Sequence, residues 1–155
     1  MNKLELDQLE LRLIQEVIYH GEREHPLERA LTAFESSHLG YTSLDIEVNL
    51  YFKDQDDVIY AGVQFMKQWQ VAKLQSLWVT EVLRKKGIGT ILLKHAEDIA
   101  KELGCDRVML EMTSMTNVSF YLSQGYAVLS HLQEYLPGYD YYQLTKKIPG
   151  KIDEQ

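Results

Sequence analysis

A cluster of basic residues and glycines stands in the middle of the chain. The segment Arg84-Lys85-Lys86-Gly87-Ile88-Gly89-Thr90 follows the apolar residues Leu77-Trp78-Val79 and precedes a run with helical periodicity. Glycines let the backbone approach a ligand closely, and the start of a helix presents free N–H groups with partial positive charge. The segment therefore predicts a binding site for a compact polyanion such as a pyrophosphate. A glycine turn with solvated basic residues fits the same spacing.

Other patterns that could perform chemistry are incomplete. A calcium loop that starts at Asp54 would need glycine and glutamate where the chain has Ile59 and Phe65. The five histidines lack the paired spacing of a metal site, so we expect no metal. Gly87 and Gly89 lack the third glycine of a dinucleotide-binding motif. The single cysteine, Cys105, excludes an internal disulfide and is expected to pack in the core.

The first half of the chain combines two predicted helices with several strands. The spacing of apolar residues predicts amphipathic helices over residues 8–20 and 26–40. Alternation of apolar and polar residues, or apolar runs between turns, predicts strands over residues 3–6, 44–52, 58–65 and 71–79. Short polar turns separate the last three strands. This arrangement favours an antiparallel meander.

The second half alternates strands and helices. We predict helices over residues 87–103 and 117–124, and strands over residues 107–112, 126–132 and 139–147, the last two joined by a loop with Pro137-Gly138. A strand–helix–strand unit attached to a meander gives a mixed sheet. We therefore expect an α+β fold (an α/β mixed sheet) in which residues 1–155 form a single domain.

Two segments resemble the GNAT superfamily of acetyl-CoA-dependent N-acetyltransferases. Residues 77–90, with Arg84-x-x-Gly87-x-Gly89 after a strand, are similar to motif A of the family. Ser119-Phe120-Tyr121-Leu122-Ser123-Gln124-Gly125-Tyr126 is similar to motif B, and the end of the chain resembles short bacterial members. The resemblance is specific for residues 58–148. It implies a GNAT fold, in which a mostly antiparallel sheet is splayed around the cofactor and flanked by helices.

The resemblance also implies roles for individual residues. Acetyl-CoA would be the co-substrate, and its pyrophosphate would be held by Arg84, Lys85, Lys86, Gly87, Ile88, Gly89 and Thr90. Its pantetheine arm would pair with Leu77, Trp78 and Val79 in the gap beside the strand at residues 107–112. The N–H of Val79 would polarise the thioester carbonyl. Tyr121 would contact the cofactor and protonate the departing thiolate.

Three roles stay open in the sequence. Many family members have an asparagine where this chain has Ser114, and Asn117 is a possible replacement. Glu111 is the first candidate for the general base and Glu81 is the second. The acceptor is expected to meet the first two helices and the loop at residues 133–140, whose Glu134 and Tyr135 suit a cation.

The composition and net charge of the chain argue against some classes of binding partner. The chain has 155 residues and a net charge of −7, from 16 Lys and Arg against 23 Asp and Glu. This charge argues against nucleic acid or an anionic membrane as a partner, and no segment resembles a signal peptide or a membrane span, so we expect a cytoplasmic protein.

We therefore expect an N-acetyltransferase that moves the acetyl group directly to a primary amine on a cationic small molecule. A protein or peptide N-acetyltransferase and a non-catalytic acyl-CoA sensor are the alternatives. A homodimer is possible.

Overall fold

The computed structural model describes residues 9–20, 25–40, 45–115 and 117–149. The strands are β1 (Arg12–Tyr19), β2 (Ile46–Lys53), β3 (Ile59–Gln68), β4 (Val71–Val79), β5 (Arg107–Thr113), β6 (Ala127–Leu136) and β7 (Tyr139–Lys147). The helices are α1 (Pro26–Leu39), α2 (Ile88–Glu102) and α3 (Val118–Ser123), with a short 3-10 turn at Glu81–Leu83. The strands form one sheet in the order β1-β2-β3-β4-β5-β7-β6.

The topology agrees with the predicted mixed sheet. β2, β3 and β4 are an antiparallel meander, and β4 pairs parallel with β5 through the crossover helix α2. The α+β class is thus confirmed. Within the described residues, no helix combines the length and apolar character that a membrane span requires.

The first predicted helix is wrong. Residues 12–19 form β1, which pairs antiparallel with β2 along its whole length. Ile14, Val17 and Ile18 are β-branched and favour extended backbone, and pairing with β2 satisfies the backbone hydrogen bonds. The apparent helical spacing arose because apolar residues occur on both faces of this strand. The strand predicted at residues 3–6 lies outside the described residues.

The second predicted helix is confirmed as α1, which begins at Pro26 and ends before Gly40 in the left-handed conformation, with a φ of 75°. Proline suits the first turn of a helix because its missing N–H would have no partner there. A glycine can adopt positive φ without steric cost, which terminates the helix.

The hydrophobic core lies between α2 and one face of the sheet. Its most deeply buried side chains include Val48, Phe65, Leu92 and Leu144, each at most 1% exposed. Cys105 is also buried here, where desolvation raises the pKa of its thiol to about 11. The thiol is therefore protonated near neutral pH and unsuited to act as a nucleophile.

The predicted loop with Pro137-Gly138 is present but shorter than expected, because the preceding strand does not end at residue 132. β6 continues to Leu136, so that only a two-residue turn joins it to β7. The pairing of β6 with β7 is irregular between Leu132 and Leu136, and Glu134 has a φ of 48°. A β-bulge absorbs the extra residues and lets the strand continue to Leu136.

Candidate active site

The sheet opens between its two central parallel strands. β4 pairs with β5 only from Val71 to Leu74, although β4 extends to Val79. Beyond this point β5 continues to pair with β7. Within the described residues, no strand therefore pairs with this edge of β4 at residues 75–79, and an opening in the sheet lies beside it. An unpaired strand edge can bind an extended ligand through main-chain hydrogen bonds.

A β-bulge in β4 lies where the strands separate. On β3, Gln64 pairs with Ser76 and the next residue, Phe65, pairs with Leu74, so that Gln75 is the extra residue of β4. Bulges bend a strand and increase its twist. This bend directs the end of β4 away from β5. The sequence contained no signal for the bulge, because no glycine or proline marks it.

Hydrogen bonds to β3 show which β4 groups face the gap. Thr80 N–H donates to the carbonyl of Tyr60 over 2.8 Å. Antiparallel strands alternate between hydrogen-bonded and non-hydrogen-bonded pairs. It follows that the N–H and C=O groups of Leu77 and Val79 point away from β3 and into the gap. Arg84 Nε donates to the carbonyl of Val79 over 3.0 Å, which anchors the following turn to the strand end.

The end of the gap near the start of α2 has the geometry of an anion-binding site. Gly87 precedes α2 with a φ of 80°, and no side chain among the described residues caps this helix. The first N–H groups of α2 therefore have no acceptor within the helix. Arg84 and Lys85 line the cleft at this end, and together with the helix dipole they favour negative charge. Lys86 does not line the cleft.

A cleft of about 940 Å³ connects these features. Most residues expected from the sequence line it: Leu77, Trp78, Val79, Arg84, Lys85, Gly87, Ile88, Gly89, Thr90, Glu111, Asn117 and Tyr121. Residues that sequence reasoning missed also line it: Leu74, Gln75, Ser76, Leu83, Leu110, Met112, Met115 and Phe120. Five of these lie within the strands predicted at residues 71–79 and 107–112: Leu74, Gln75, Ser76, Leu110 and Met112. The sequence indicated the strands but not how far along them the cleft extends.

Tyr121 projects from the short helix α3 into the cleft. Its ring makes edge-to-face contacts with Phe120 and Tyr126, with centroid distances of 5.1 and 5.7 Å. Burial raises the pKa of its hydroxyl to about 12. Tyr121 is therefore protonated at neutral pH and is available as a proton donor.

The structure separates the two candidates for the cofactor-binding polar residue. Asn117 lines the cleft and caps α3, and its Oδ1 accepts from Phe120 N–H. Ser114 lies outside the lining. Its Oγ accepts from Asp140 N–H over 2.9 Å, which ties it to the start of β7. Asn117 therefore has the better position to contact a ligand.

The two candidate bases also differ in position. Glu111 is exposed on β5 and lines the cleft. A hydrogen bond from Tyr141 is the main cause that lowers its pKa, and one from Gln143 also contributes. Glu81 lies in the 3-10 turn and does not line the cleft. The geometry thus favours Glu111.

Glu134 and Tyr135 do not line the cleft. The N–H of Glu134 donates to Asp140 Oδ1 over 3.0 Å, and the ring of Tyr135 packs on Tyr141 with a centroid distance of 4.9 Å. Asp140 also forms an ion pair with His131 at 2.7 Å. These residues stabilise the β6–β7 hairpin, and both β5 and β7 separate Glu134 and Tyr135 from β4.

Known proteins share this sequence pattern and fold. Residues 11–126 match the model of the acetyltransferase (GNAT) family. A blasticidin-S acetyltransferase from Streptomyces morookaense is 32% identical over 82 residues, which cover 52% of this chain and 60% of that relative. This chain thus aligns with less than two thirds of that relative's length.

Solved structures have the same architecture. An acetyltransferase from Bacillus cereus ATCC 14579 is 26% identical with a TM-score of 0.67, over 83% of this chain and 97% of the other. A candidate streptothricin acetyltransferase from Bacillus anthracis, solved with acetyl coenzyme A, has a TM-score of 0.58 over 96% and 95% of the two chains. At 12% identity, the second likeness concerns the fold alone.

Proposed function

Because this chain belongs to the acetyltransferase (GNAT) family, we propose that it is an acyltransferase that transfers the acetyl group of acetyl-CoA to a primary amine within the β4–β5 cleft. The observation that carries this proposal is the unpaired edge of β4, which leads directly to the uncapped start of α2 within the described residues. One surface offers main-chain hydrogen bonds to an extended arm and, at its end, positive charge to a pyrophosphate.

We assign the cofactor contacts from this geometry. The first N–H groups of α2, with Arg84 and Lys85, would hold the pyrophosphate. The C=O of Leu77 and the N–H of Val79 would pair with the amides of the pantetheine arm, because Arg84 already donates to the Val79 carbonyl. Asn117 would donate its amide NH2 group to the same arm. Lys86 would contribute charge without contact.

The chemical step needs an activated carbonyl, a free amine and a proton for the leaving group. Acetyl-CoA supplies the thioester. Of the N–H groups that face the gap, Leu77 is closer than Val79 to the point where β4 and β5 separate. We therefore propose that Leu77 polarises the carbonyl, whereas the sequence alone suggested Val79.

Proton transfers complete the step. The amine nitrogen bonds to the carbonyl carbon as the carbon–sulfur bond breaks, and Tyr121 donates its proton to the sulfur. Glu111 accepts the amine proton, directly or through a water molecule. A carboxylate with a lowered pKa is a weak base, so its main contribution is to attract and orient the ammonium form of the acceptor.

For the acceptor we propose a cationic small molecule. The chain carries a net charge of −7 although Arg84, Lys85 and Lys86 lie together at the proposed cofactor end, so the rest of the chain is more acidic than the average. Glu111 places a negative charge within the cleft. The similarity to blasticidin-S acetyltransferase supports a small-molecule acceptor of the antibiotic type.

The domain boundary is also a proposal. All described strands join one sheet, and the final strand β7 lies between β5 and β6. We propose that residues 1–155 act as one acetyltransferase domain.

A release assay tests the function. Purified protein is mixed with acetyl-CoA and one amine at a time: blasticidin S, spermidine, kanamycin, a lysine-containing peptide or glutamate. Thiol-reactive dye then reports free CoA, and calorimetry reports binding of acetyl-CoA alone. We expect release with at least one cationic small molecule and none with glutamate. Binding without release on any amine would instead support a sensor.

A further inference from the structure

Glu111 belongs to a chain of polar side chains that crosses three strands. Glu111 on β5 is opposite Gln143 on β7, which is opposite Ser130 on β6. Gln143 Nε2 donates to Glu111 Oε1 over 2.9 Å, and Ser130 Oγ donates to Gln143 Oε1 over 2.7 Å. Because Ser130 occupies the amide oxygen, the amide NH2 group is directed at Glu111.

A second side chain of β7 also acts on Glu111. Tyr141 is opposite Thr113, two residues from Glu111 along β5, and interaction with its hydroxyl is the largest cause that lowers the Glu111 pKa. The ring of Tyr141 packs against Tyr135 at 4.9 Å. An exposed glutamate is normally free to change rotamer, which costs entropy whenever a ligand must fix it. The hydrogen bond from Gln143 and the neighbouring Tyr141 restrict this freedom before any ligand binds. Tyr135 contributes by restraining the ring of Tyr141.

We propose that Tyr141 and Gln143 are positioning residues that hold the Glu111 carboxylate ionised and directed at the acceptor nitrogen. This inference rests on the proposed function, because it gives Glu111 the role of receiving the amine. Other groups around Glu111 are Lys73 on β4, whose charge also lowers the Glu111 pKa, and Tyr121 of α3, which lines the same cleft.

The pH dependence has a definite sign. Hydrogen bonds to the ionised form stabilise it and lower the pKa of Glu111. Removing a donor raises this pKa toward the ordinary value of about 4.3. Glu111 then becomes protonated at a higher pH, and acceptor affinity that depends on its charge is lost earlier as the pH falls.

The test uses Tyr141→Phe and Gln143→Leu, with Tyr139→Phe as a matched control on the same strand. Tyr139 is 43% exposed and lies outside the cleft lining. NMR of protein labelled with carbon-13 at glutamate carboxyls gives the Glu111 pKa without any ligand. The Glu111 signal is assigned by its loss in Glu111→Gln. Steady-state kinetics with spermidine gives the acceptor KM, and calorimetry gives the acetyl-CoA Kd.

We expect the Glu111 pKa to rise in Tyr141→Phe and in Gln143→Leu and to stay unchanged in Tyr139→Phe. The spermidine KM should rise about tenfold in the first two variants, while the acetyl-CoA Kd stays within twofold. A Glu111 pKa equal to that of the wild type in both variants overturns the inference. Raised pKa values in a protein that acetylates no amine support the positioning of Glu111 and instead refute the proposed function.

Discussion

The two long helices cover opposite faces of the sheet in opposite ways. α2 buries six residues against β2, β3 and β4, including Leu92, Leu93 and Ala100. Within the described chain α1 buries none, and its Leu27, Leu31 and Phe34 are 72%, 54% and 59% exposed. α1 lies over Val71, Lys73 and Met109 and encloses with them only a small cavity of about 340 Å³.

The polar contacts also differ between the two faces of the sheet. Under α2, Glu97 is buried and accepts hydrogen bonds from Lys146 and Tyr126. These bonds connect the helix to β7 and to the residue that directly precedes β6. On the other face, Glu47 of β2 accepts from Asn49 and Gln64. The α2 side is therefore closely packed and encloses its polar contacts, whereas α1 leaves its own apolar side chains exposed.

The largest effect that we expect from the different packing of α1 and α2 concerns the free energy of unfolding. Leu92→Ala should lower the free energy of unfolding by about 3 kcal/mol, because it leaves a cavity in place of a fully buried side chain. Leu31→Ala, the same change on α1, should cost less than about 0.5 kcal/mol. Urea denaturation of both variants measures the difference. Equal losses would show that α1 is packed as firmly as α2.

Tyr121→Phe tests the chemistry on the α2 side. The ring and its packing remain while the proton donor is lost, so turnover should fall by about 10²-fold and acetyl-CoA affinity should stay within twofold. Tyr139→Phe serves as the control and should leave both quantities unchanged. Turnover within twofold of the wild type in Tyr121→Phe would mean that another group protonates the thiolate.

The two ends of α2 provide a matched pair for cofactor binding. Gly87 and Gly104 both have positive φ, and at either glycine an added Cβ atom would meet open space, so glutamate introduces similar backbone strain at both sites. Only Gly87→Glu places a negative charge at the proposed pyrophosphate site. Calorimetry should show acetyl-CoA affinity falling more than tenfold, about 1.4 kcal/mol, for Gly87→Glu alone. A similar loss in Gly104→Glu would trace the effect to strain.

The smallest expected effect is electrostatic and concerns the acceptor side. The KM of a cationic amine should rise about twofold to threefold between low salt and 0.3 M, where the Debye length is about 6 Å. Glu111→Gln should weaken this dependence. Glu134→Gln should not, because Glu134 lies outside the cleft, even though the sequence suggested a role in acceptor binding. If Glu134→Gln weakened the salt dependence of KM more than Glu111→Gln, the acceptor would instead bind at the β6–β7 hairpin.

The difference between the two sides of the sheet also explains which features could be predicted from the sequence. The α2 side was predictable because its features are local: the glycine turn around Gly87, the apolar stripe of α2 and the alternation in β2. The identity of β1 depended on pairing with β2, a contact between residues distant in sequence. Its β-branched residues fit either periodicity, and only tertiary pairing decides between them.

The site was predictable to a similar extent. The motif around Arg84 and Tyr121 indicated which residues share a cleft, but not that Ser114 is engaged by Asp140. Nor does any local pattern place Tyr141 beside Glu111, because that contact follows from the register between β5 and β7. Acceptor residues were therefore the least accessible part of the prediction.

Hydrogen–deuterium exchange with and without acetyl-CoA tests the central claim, that the free edge of β4 and the start of α2 hold the cofactor. When acetyl-CoA is bound, we expect at least tenfold slower exchange for the amides of Leu77 and Val79 and of the first turn of α2. Amides of α1 should be unaffected. Protection confined to α1, with Leu77 and Val79 exchanging at their ligand-free rates, would show that the cofactor binds elsewhere.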